Sequence, residues 1–289
     1  MKKVLVLGST GMLGSAVAST LRANGHEVLT ASRSTGIKFD ATNLGTHEIL
    51  VGAGLQRGDF VINCIGLTKS RIDEASLASR SLAVMLNISF PNDLAQAAEL
   101  LGVKVIEPAT DCVFSGVSGN YSESSPHDPM DVYGKTKSLG EIPSTATMRL
   151  RCSLIGPEIG RSSLFFEWVR QQPFNARING YTNHLWNGLS SITFSKVVSG
   201  IIIEDLFKPG LQHLVPSDKA TKDELVRLEL AAFRREDVQV KSKPDEHPID
   251  RTLKTDSPDF NKRLFLVAGY NKIPTIEEMV LEACMSLPN

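Results

Sequence analysis

Short apolar runs alternate with longer amphipathic stretches over the first 110 residues. Residues 4–7, 27–31, 60–65 and 103–107 each form a short run of the kind that becomes a buried strand. The stretch from about residue 12 to residue 24 has the spacing of an amphipathic helix. Strands that alternate with helices predict βαβ units, and therefore a parallel sheet with helices on both faces. Because such crossovers are right-handed, we expect a doubly wound α/β architecture.

The rest of the chain has a less regular pattern. Residues 115–132 are rich in Ser, Gly, Pro and Asp, which predicts an ordered loop. Helical spacing returns at residues 219–233 and 276–285, whereas residues 241–258 are charged, contain three prolines and predict an extended surface segment. No internal repeat and no sharp linker divide the chain, so we expect a smaller C-terminal lobe packed closely on the α/β core.

Composition excludes several classes of function. Of 289 residues, 31 are Lys or Arg and 32 are Asp or Glu, and the formal net charge of −1 favours neither nucleic acid nor an anionic membrane as a partner. No apolar run approaches the roughly 18 residues of a membrane span, and the run at residues 4–7 is shorter than the ~7–15 apolar residues of a signal peptide. The four cysteines lie far apart, with no CxxC pair and no His cluster. We therefore expect a cytoplasmic protein with no metal site.

A glycine-rich loop lies between the first predicted strand and the first predicted helix. Its sequence, GSTGMLG at residues 8–14, has the spacing GxxGxxG. Such a loop provides a tight turn, a backbone bare enough to meet a pyrophosphate, and a helix N-terminus with unpaired N–H groups. It predicts a dinucleotide site, against the alternative of a turn that only reverses the chain. The residues expected to contact the dinucleotide are Gly8, Thr10, Gly11, Met12, Leu13 and Gly14.

The end of the second predicted strand indicates which dinucleotide is preferred. NAD sites place a carboxylate there for the ribose 2′-hydroxyl, whereas NADP sites use Arg. This chain has Ser32 and Arg33 and no acid, which favours NADP(H) over NAD(H), the alternative being a solvated arginine on a loop. Other positions near strand ends are expected to border the adenosine half of the cofactor. They are Asp40, Ala41, Cys64, Ile65 and Gly66.

Tyr133 and Lys137 form the pattern YxxxK, which in a helix places both side chains one turn apart on one face. A free phenol has a pKa of about 10, and a neighbouring ammonium together with a cationic nicotinamide ring would lower that pKa. Tyr133 would then exchange a proton with a carbonyl oxygen, while Lys137 also binds the nicotinamide ribose. The alternative is a surface Tyr and Lys on an amphipathic helix.

Thr110 follows the fourth predicted strand, and the C-terminal ends of parallel strands line the ligand crevice of a doubly wound sheet. A hydroxyl there can hydrogen-bond the reacting oxygen and align it with Tyr133. The alternative is a cap or turn residue. Thr110, Tyr133 and Lys137 are therefore the candidate catalytic residues.

These segments together resemble the dTDP-4-dehydrorhamnose reductase family, within the extended short-chain dehydrogenase/reductases. The resemblance rests on VLVLGSTGMLGSAV, VINCIGLT, ATDCVFSG, DVYGKTKSLGE and RLRCSLIGPE, at residues 4–17, 61–68, 109–116, 131–141 and 149–158. It covers about the first 160 residues well, and weaker similarity continues to about residue 215.

The resemblance implies a nicotinamide-dependent reductase that acts on the 4-keto group of a nucleotide-activated 6-deoxysugar. It gives Thr110, Tyr133 and Lys137 the catalytic roles, and Asn87 matches the asparagine of a family helix. It also implies a Rossmann-type domain at residues 1–152, joined again by 181–207, and a substrate-binding lobe at 153–180 and 208–289. Substrate contacts are expected from Thr110, Asp111, Cys112, Trp186 and Arg251, and the alternative for Trp186 is a ring packed in the seam between the lobes.

Two departures from the family pattern bear on the substrate. Cys112 replaces an aromatic residue, and Leu189-Ser190 replaces a Pro-Thr pair. Because of them, the sequence does not identify the sugar or the nucleotide base of the substrate. A UDP-linked amino sugar agrees with the sequence as well as dTDP-rhamnose does. A 4,6-dehydratase is disfavoured because Cys112 occupies the position of its glutamate. A 4-epimerase with bound NAD, a non-catalytic NADP-binding regulatory subunit and a homodimer remain open.

Overall fold

The structure, a computed structural model, describes residues 2–43, 45–158 and 164–287. The strands of these residues are β1 (Lys3–Leu7), β2 (Glu27–Ser32), β3 (Ile37–Lys38), β4 (Phe60–Asn63), β5 (Lys104–Ala109), β6 (Thr147–Arg151), β7 (Leu154–Ile155), β8 (Arg177–Tyr181), β9 (His184–Trp186), β10 (Leu189–Ser190), β11 (Gly210–His213), β12 (Ala220–Thr221), β13 (Gln239–Lys243) and β14 (Ile249–Asp250). The helices are α1 (Met12–Ala23), α2 (Thr46–Gly52), α3 (Leu77–Val84), α4 (Phe90–Leu101), α5 (Val132–Leu139), α6 (Phe165–Arg170), α7 (Ser191–Ile203), α8 (Lys222–Ala232), α9 (Pro258–Val267) and α10 (Ile276–Met285).

Seven parallel strands form the central sheet, in the order β11-β6-β5-β4-β1-β2-β3. The order reverses beside β1, as in a Rossmann-type doubly wound sheet. The predicted α/β fold class is therefore confirmed. The four predicted strands are present with small shifts of their ends, and β4 stops at Asn63 rather than at residue 65.

The two faces of the sheet explain why its central strand is a continuous apolar run. In β1, Val4 and Val6 pack with residues of α1 and α7 on one face. Leu5 and Leu7 point to the opposite face and pack with residues of α2 and α4. Because helices cover both faces, alternation of polar and apolar residues is absent from this strand.

The C-terminal half returns to the core as well as forming smaller sheets. Strand β11 pairs with β6 at the edge of the central sheet, although it lies within the residues predicted for the lobe. The smaller sheets are β12-β9-β14, β13-β8 and β10-β7. A separate apolar cluster joins α6, α8 and the β13-β8 pair. The proposed domain division stays a prediction.

The segment at residues 241–258 is extended, as predicted, but it is not simply a surface segment. Its strands pair with β8 and β9, and Thr252 and Leu253 are buried. Tyr121 of the predicted loop bridges to Leu253 and stacks on Phe114 at 4.2 Å between ring centroids. Sequence composition missed this because the buried residues here are few and lie between exposed charges. The 241–258 segment therefore holds the 115–132 loop in place through these contacts.

The described residues contain neither a membrane-spanning helix nor a cluster of metal-ligating side chains. No helix in this part of the chain is long and apolar enough to cross a membrane. No group of three or more His, Cys, Asp or Glu among these residues could hold a metal ion.

Candidate active site

The glycine loop uses its three glycines for different purposes. Gly8 has φ +76°, and a Cβ there would lie 3.1 Å from the Cys64 carbonyl carbon. A Cβ on Gly14 would lie 2.3 Å from the Gly8 carbonyl oxygen, so both positions require glycine for packing. At Gly11 the nearest such atom is 3.4 Å away, and no side chain caps the N-terminus of α1. The Gly11 amide donates to the Gly8 carbonyl at 3.0 Å, so the loop offers a ligand bare backbone at Gly11 and the N–H groups of the first turn of α1.

The turn after β2 separates the two residues expected at a 2′-phosphate. The Ser32 hydroxyl donates to the Thr35 carbonyl at 2.8 Å and accepts from the Thr35 amide at 2.8 Å. Ser32 is buried and therefore serves to close the turn. Arg33 is exposed, and its positive charge acts on Asp40. Asp40 caps the following turn by accepting from the Thr42 amide and hydroxyl.

Helix α5 carries Tyr133 and Lys137, and glycine packing fixes its position. A Cβ on Gly134 would lie 2.2 Å from the Cys112 carbonyl oxygen. A Cβ on Gly140, the residue after the helix, would lie 2.0 Å from the Asn87 carbonyl oxygen. The N-terminus is capped by Asp131, whose side chain accepts from the Gly134 amide at 2.7 Å. Close backbone approach at both ends therefore sets the helix against the turn that follows β5.

Asn87 fastens the same helix from the other side. It is buried in the π-helical segment Met85–Ser89, and its side chain bonds the Leu67 amide, the Leu67 carbonyl and the Thr136 hydroxyl. These contacts join the segment after β4 to α5. Cys64, Ile65 and Gly66 lie in that segment, and Cys64 and Ile65 adjoin Gly8. Burial raises the pKa of the Cys64 thiol to about 12.

The turn after β5 carries the other candidate residues. Thr110 caps it, because its hydroxyl accepts from the Cys112 amide at 3.1 Å. The Asp111 carboxylate accepts from the Thr110 hydroxyl at 3.3 Å and from the Cys112 thiol at 3.7 Å. Burial raises the pKa of Cys112 to about 12, so this thiol stays protonated near neutrality. Burial also raises the pKa of Asp111, against the positive charges of Arg251 and Lys222.

The protonation of Tyr133 differs from the sequence-based expectation. Burial raises the pKa of its phenol, and the neighbouring Cys112 and Asp111 side chains raise it further. Hydrogen bonding with Thr110 acts in the opposite direction. In the protein without a cofactor, the pKa of Tyr133 is therefore raised and not lowered, and the lowering expected from Lys137 together with the nicotinamide ring stays a prediction. A protonated phenol is nevertheless the correct form for donating a proton to a ketone.

Lys137 borders a small polar cavity of about 20 Å³, which is room for one water molecule. Burial lowers the pKa of Lys137, and the negative charges of Glu107 and Glu141 oppose that shift. Glu107 accepts from Arg149 Nε at 2.8 Å and from Asn63 Nδ2 at 3.0 Å. The charges of Glu107 and Arg149 therefore give the buried Lys137 ammonium a polar environment.

The expected substrate residues Trp186 and Arg251 have different surroundings. Trp186 is 5% exposed and packs against Gly188, so its ring has little surface to offer a ligand. Arg251 donates to the carbonyls of Phe114 and Ser115 at 2.8 and 3.3 Å, and its charge acts on Asp111. It therefore lies close to the turn that carries Thr110.

Sequence reasoning missed the Glu107–Arg149 pair and Lys222. The pair had a usable signal, because each is a charged residue inside an otherwise apolar strand and parallel pairing places β5 beside β6. For Lys222 the sequence signal was weak: the Thr221–Glu224 capping box predicts only that a helix, α8, begins at this residue. The effect of its charge on Asp111 depends on how distant segments pack.

Comparison with known proteins places this geometry in a family. Residues 1–150 match the family model described as RmlD substrate binding domain, which is more than half of the chain. The chain belongs to this family. A dTDP-4-dehydrorhamnose reductase of Streptomyces griseus is 35% identical over 138 residues. Methionine adenosyltransferase 2 subunit beta of Xenopus laevis is 34% identical over 143 residues.

The sequence matches to these two relatives cover only part of each chain. The matches cover 47% and 48% of this chain and 43% and 42% of the two relatives, so less than half of each relative is spanned. A solved dTDP-4-dehydrorhamnose reductase of Bacillus anthracis, in complex with NADP, has a TM-score of 0.80. It is 20% identical and covers 99% of this chain and 100% of that chain. That likeness supports the fold over the full length.

Proposed function

We propose that this member of the RmlD substrate binding domain family is a nicotinamide-dependent reductase that prefers NADP(H) to NAD(H). The observation that carries the proposal is the placement of Tyr133 and Lys137 on one face of α5, packed against the turn of Thr110. This set lies at the C-terminal edge of the parallel sheet, where doubly wound folds bind ligands. The NADP complex of the Bacillus anthracis neighbour supports the choice of cofactor.

The described residues fit a dinucleotide. Gly11 leaves its backbone open, and the uncapped N-terminus of α1 offers N–H groups to a pyrophosphate. Arg33 is the cation available for a 2′-phosphate, since Ser32 is committed to its own turn. Lys137 would hold the nicotinamide ribose. When bound, the nicotinamide supplies the hydride.

The chain's own residues supply the proton and the alignment. Tyr133 donates its phenolic proton to the keto oxygen, and Thr110 hydrogen-bonds the same oxygen. Lys137 stabilises the phenolate that is left, because its ammonium lies one helical turn away. A water molecule in the cavity beside Lys137 would resupply the proton through that ammonium. The result is an alcohol at the former carbonyl carbon.

The proposed substrate is the 4-keto group of a nucleotide-activated 6-deoxysugar. The similarity to dTDP-4-dehydrorhamnose reductases over the first half of the chain supports this choice. The test is an NADPH-consumption screen against dTDP-, UDP- and GDP-linked 4-keto sugars. We expect turnover with at least one of them, and the absence of turnover with all three would reject the reductase.

A second candidate is a non-catalytic NADP-binding subunit. The similarity to methionine adenosyltransferase 2 subunit beta favours it, since that name describes a subunit of an enzyme. Thr110, Tyr133 and Lys137 argue for catalysis, because a binding subunit needs no proton donor. Dinucleotide binding without turnover of any sugar in the screen would favour the subunit. A 4-epimerase with bound NAD would interconvert sugars without net NADPH consumption.

Cofactor preference can be tested at Arg33. Arg33→Ala should raise the KM for NADPH by about tenfold or more, because the exposed guanidinium is the charge available to a 2′-phosphate. The KM for NADH should change little. Equal effects on both cofactors would remove Arg33 from the 2′-phosphate site.

A further inference from the structure

The small cavity beside Lys137 is lined by two acids as well as by the lysine. Glu107 of β5 and Glu141, which follows α5, line it together with Lys137 and Arg149 of β6. Its volume of about 20 Å³ is room for one water molecule. Lys137 forms no hydrogen bond or ion pair with any residue that the structure describes. The two acids therefore act on its ammonium across the cavity and not by direct contact.

Glu107 is held in place by the strands on both sides of β5. Its Oε1 accepts from Arg149 Nε at 2.8 Å, and its Oε2 accepts from Asn63 Nδ2 at 3.0 Å. Arg149 also donates through Nη1 to the Ile142 carbonyl at 2.7 Å, which ties the pair to the segment after α5. The carboxylate is buried and lies three residues before Thr110 in the chain. Its position beside the cavity is therefore fixed by β4 and β6.

Glu141 reaches the same cavity from the second residue after α5. Close packing of Gly140 on the Asn87 carbonyl fixes the backbone at this point. The buried Arg151 bonds Oε2 of Glu141, whereas Oε1 is buried and has no hydrogen-bond partner among the described residues. Arg149 Nη2 is also buried and without a partner in this part of the chain. One water molecule in the cavity would accept from Arg149 and donate to Glu141, which satisfies both atoms.

The ammonium of Lys137 depends on these acids for its charge. Burial lowers the pKa of Lys137, and the positive charges of Arg149 and Arg151 lower it further. The negative charges of Glu107 and Glu141 oppose this lowering. Removing either acid would therefore leave a buried ammonium among arginines, and the neutral amine would be favoured.

Glu141 is surrounded by groups that favour its charged form. Burial raises its pKa, and the positive charge of Arg151 is the largest effect that opposes the rise. Burial also lowers the pKa of the nearby His127, which is therefore mostly uncharged at neutral pH. The charged or titratable side chains that face Glu141 besides Arg151 are those of Lys137, Arg149, Glu107 and His127.

We propose that Glu107 and Glu141 are positioning residues for Lys137, which keep its side chain in the charged form that the phenol of Tyr133 requires. This inference rests on the proposed function, because it concerns the proton supply of the reductase. The ammonium stabilises the Tyr133 phenolate and returns a proton to it, and a neutral amine would do neither.

The direct test is an NMR titration of the whole chain with ¹³C-labelled lysine, which needs no substrate. The signal of Lys137 is identified by its absence in Lys137→Met. Glu107→Gln and Glu141→Gln each remove one charge and keep a hydrogen-bonding side chain of similar size. We expect each to lower the titration midpoint of Lys137 by about one pH unit. Glu141→Asp keeps the charge and should titrate nearly like the wild type.

Glu282→Gln is the matched control. Glu282 of α10 forms an ion pair with Lys196 and is not among the residues that line the cavity. This variant removes the same charge from a different ion pair, so it should leave the Lys137 midpoint unchanged. A thermal melt checks the folding of each variant, and two glutamate positions allow the test to proceed where one substitution prevents folding.

The pH profile of kcat separates a positioning role from a structural one. In both glutamine variants the alkaline limb should move to lower pH, because turnover requires the ammonium. The KM for NADPH near pH 7 should stay within a few-fold of the wild type. A purely structural role would lower kcat at every pH without moving the limb, and that result would count against the inference.

The two measurements also separate the inference from the proposed function. An unchanged Lys137 midpoint in both glutamine variants would overturn the inference, with or without sugar turnover. A lowered midpoint in a protein that turns over no sugar in the screen would reject the reductase and keep the effect of the two acids on Lys137. Sugar turnover with an unchanged midpoint would keep the reductase and reject the role of Glu107 and Glu141.

Discussion

Tyr133→Phe is expected to lower kcat for sugar-dependent NADPH oxidation by about 10²- to 10⁴-fold, which is the usual contribution of a positioned acid. The substitution removes the phenolic oxygen and keeps the ring that packs beside Cys112 and Thr110. The proton for the keto oxygen would then have to come from solvent. NADPH binding, followed by fluorescence, should stay within a few-fold of the wild type.

Tyr181→Phe is the control for the loss of a phenol as such. Tyr181 is the last residue of β8, and its ring centroid lies 4.9 Å from that of His184. This variant should keep the wild-type kcat. Turnover by Tyr133→Phe equal to that of Tyr181→Phe would eliminate Tyr133 as the proton donor.

Arg151→Met should destabilise the fold by about 3–5 kcal/mol, the usual cost of leaving one member of a buried ion pair. Arg151 is fully buried and pairs with Glu141, and its Nη1 lies 3.1 Å from His127 Nε2. Its guanidinium also lies 5.1 Å from the ring centroid of Phe114. One side chain therefore joins β6, the end of α5 and the 115–132 loop. The loss would appear in urea unfolding as a lower midpoint.

The free energy of unfolding that Arg151→Met loses should increase with pH. Burial raises the pKa of Glu141, and the positive charge of Arg151 opposes the rise. Without Arg151 that pKa moves further above its unfolded value, so the variant loses stability as pH rises through it. The deficit should be larger at pH 8 than at pH 5. Arg263→Met, at an exposed residue, should change the unfolding free energy by only about ±0.5 kcal/mol. A pH-independent loss below about 1 kcal/mol would show that Arg151 does not hold these elements together.

Local pattern was sufficient to predict the backbone elements that form the candidate cofactor site. The apolar run before the glycine loop predicted β1, and the spacing of three glycines predicted a bare turn into α1, because each depends on residues close in sequence. YxxxK predicted two side chains on one helical face, and α5 confirms the helix. Ser32 shows where such reasoning fails, since its hydroxyl is used within its own turn.

The sequence by itself determined the parallel α/β sheet, the glycine loop, and the candidate residues Thr110, Tyr133 and Lys137, because periodicity and short motifs record local backbone geometry. The tertiary structure decided the features that arise only where segments distant in the sequence come into contact. Burial among Cys112 and Asp111 sets the pKa of Tyr133, and the pairing of β5 with β6 places Glu107 and Arg149 behind Lys137. The packing of the chain brings Lys222, 112 residues after Thr110, close enough for its charge to act on Asp111. Desolvation and long-range charge contacts have no counterpart in local sequence, which is why only the fold could reveal them.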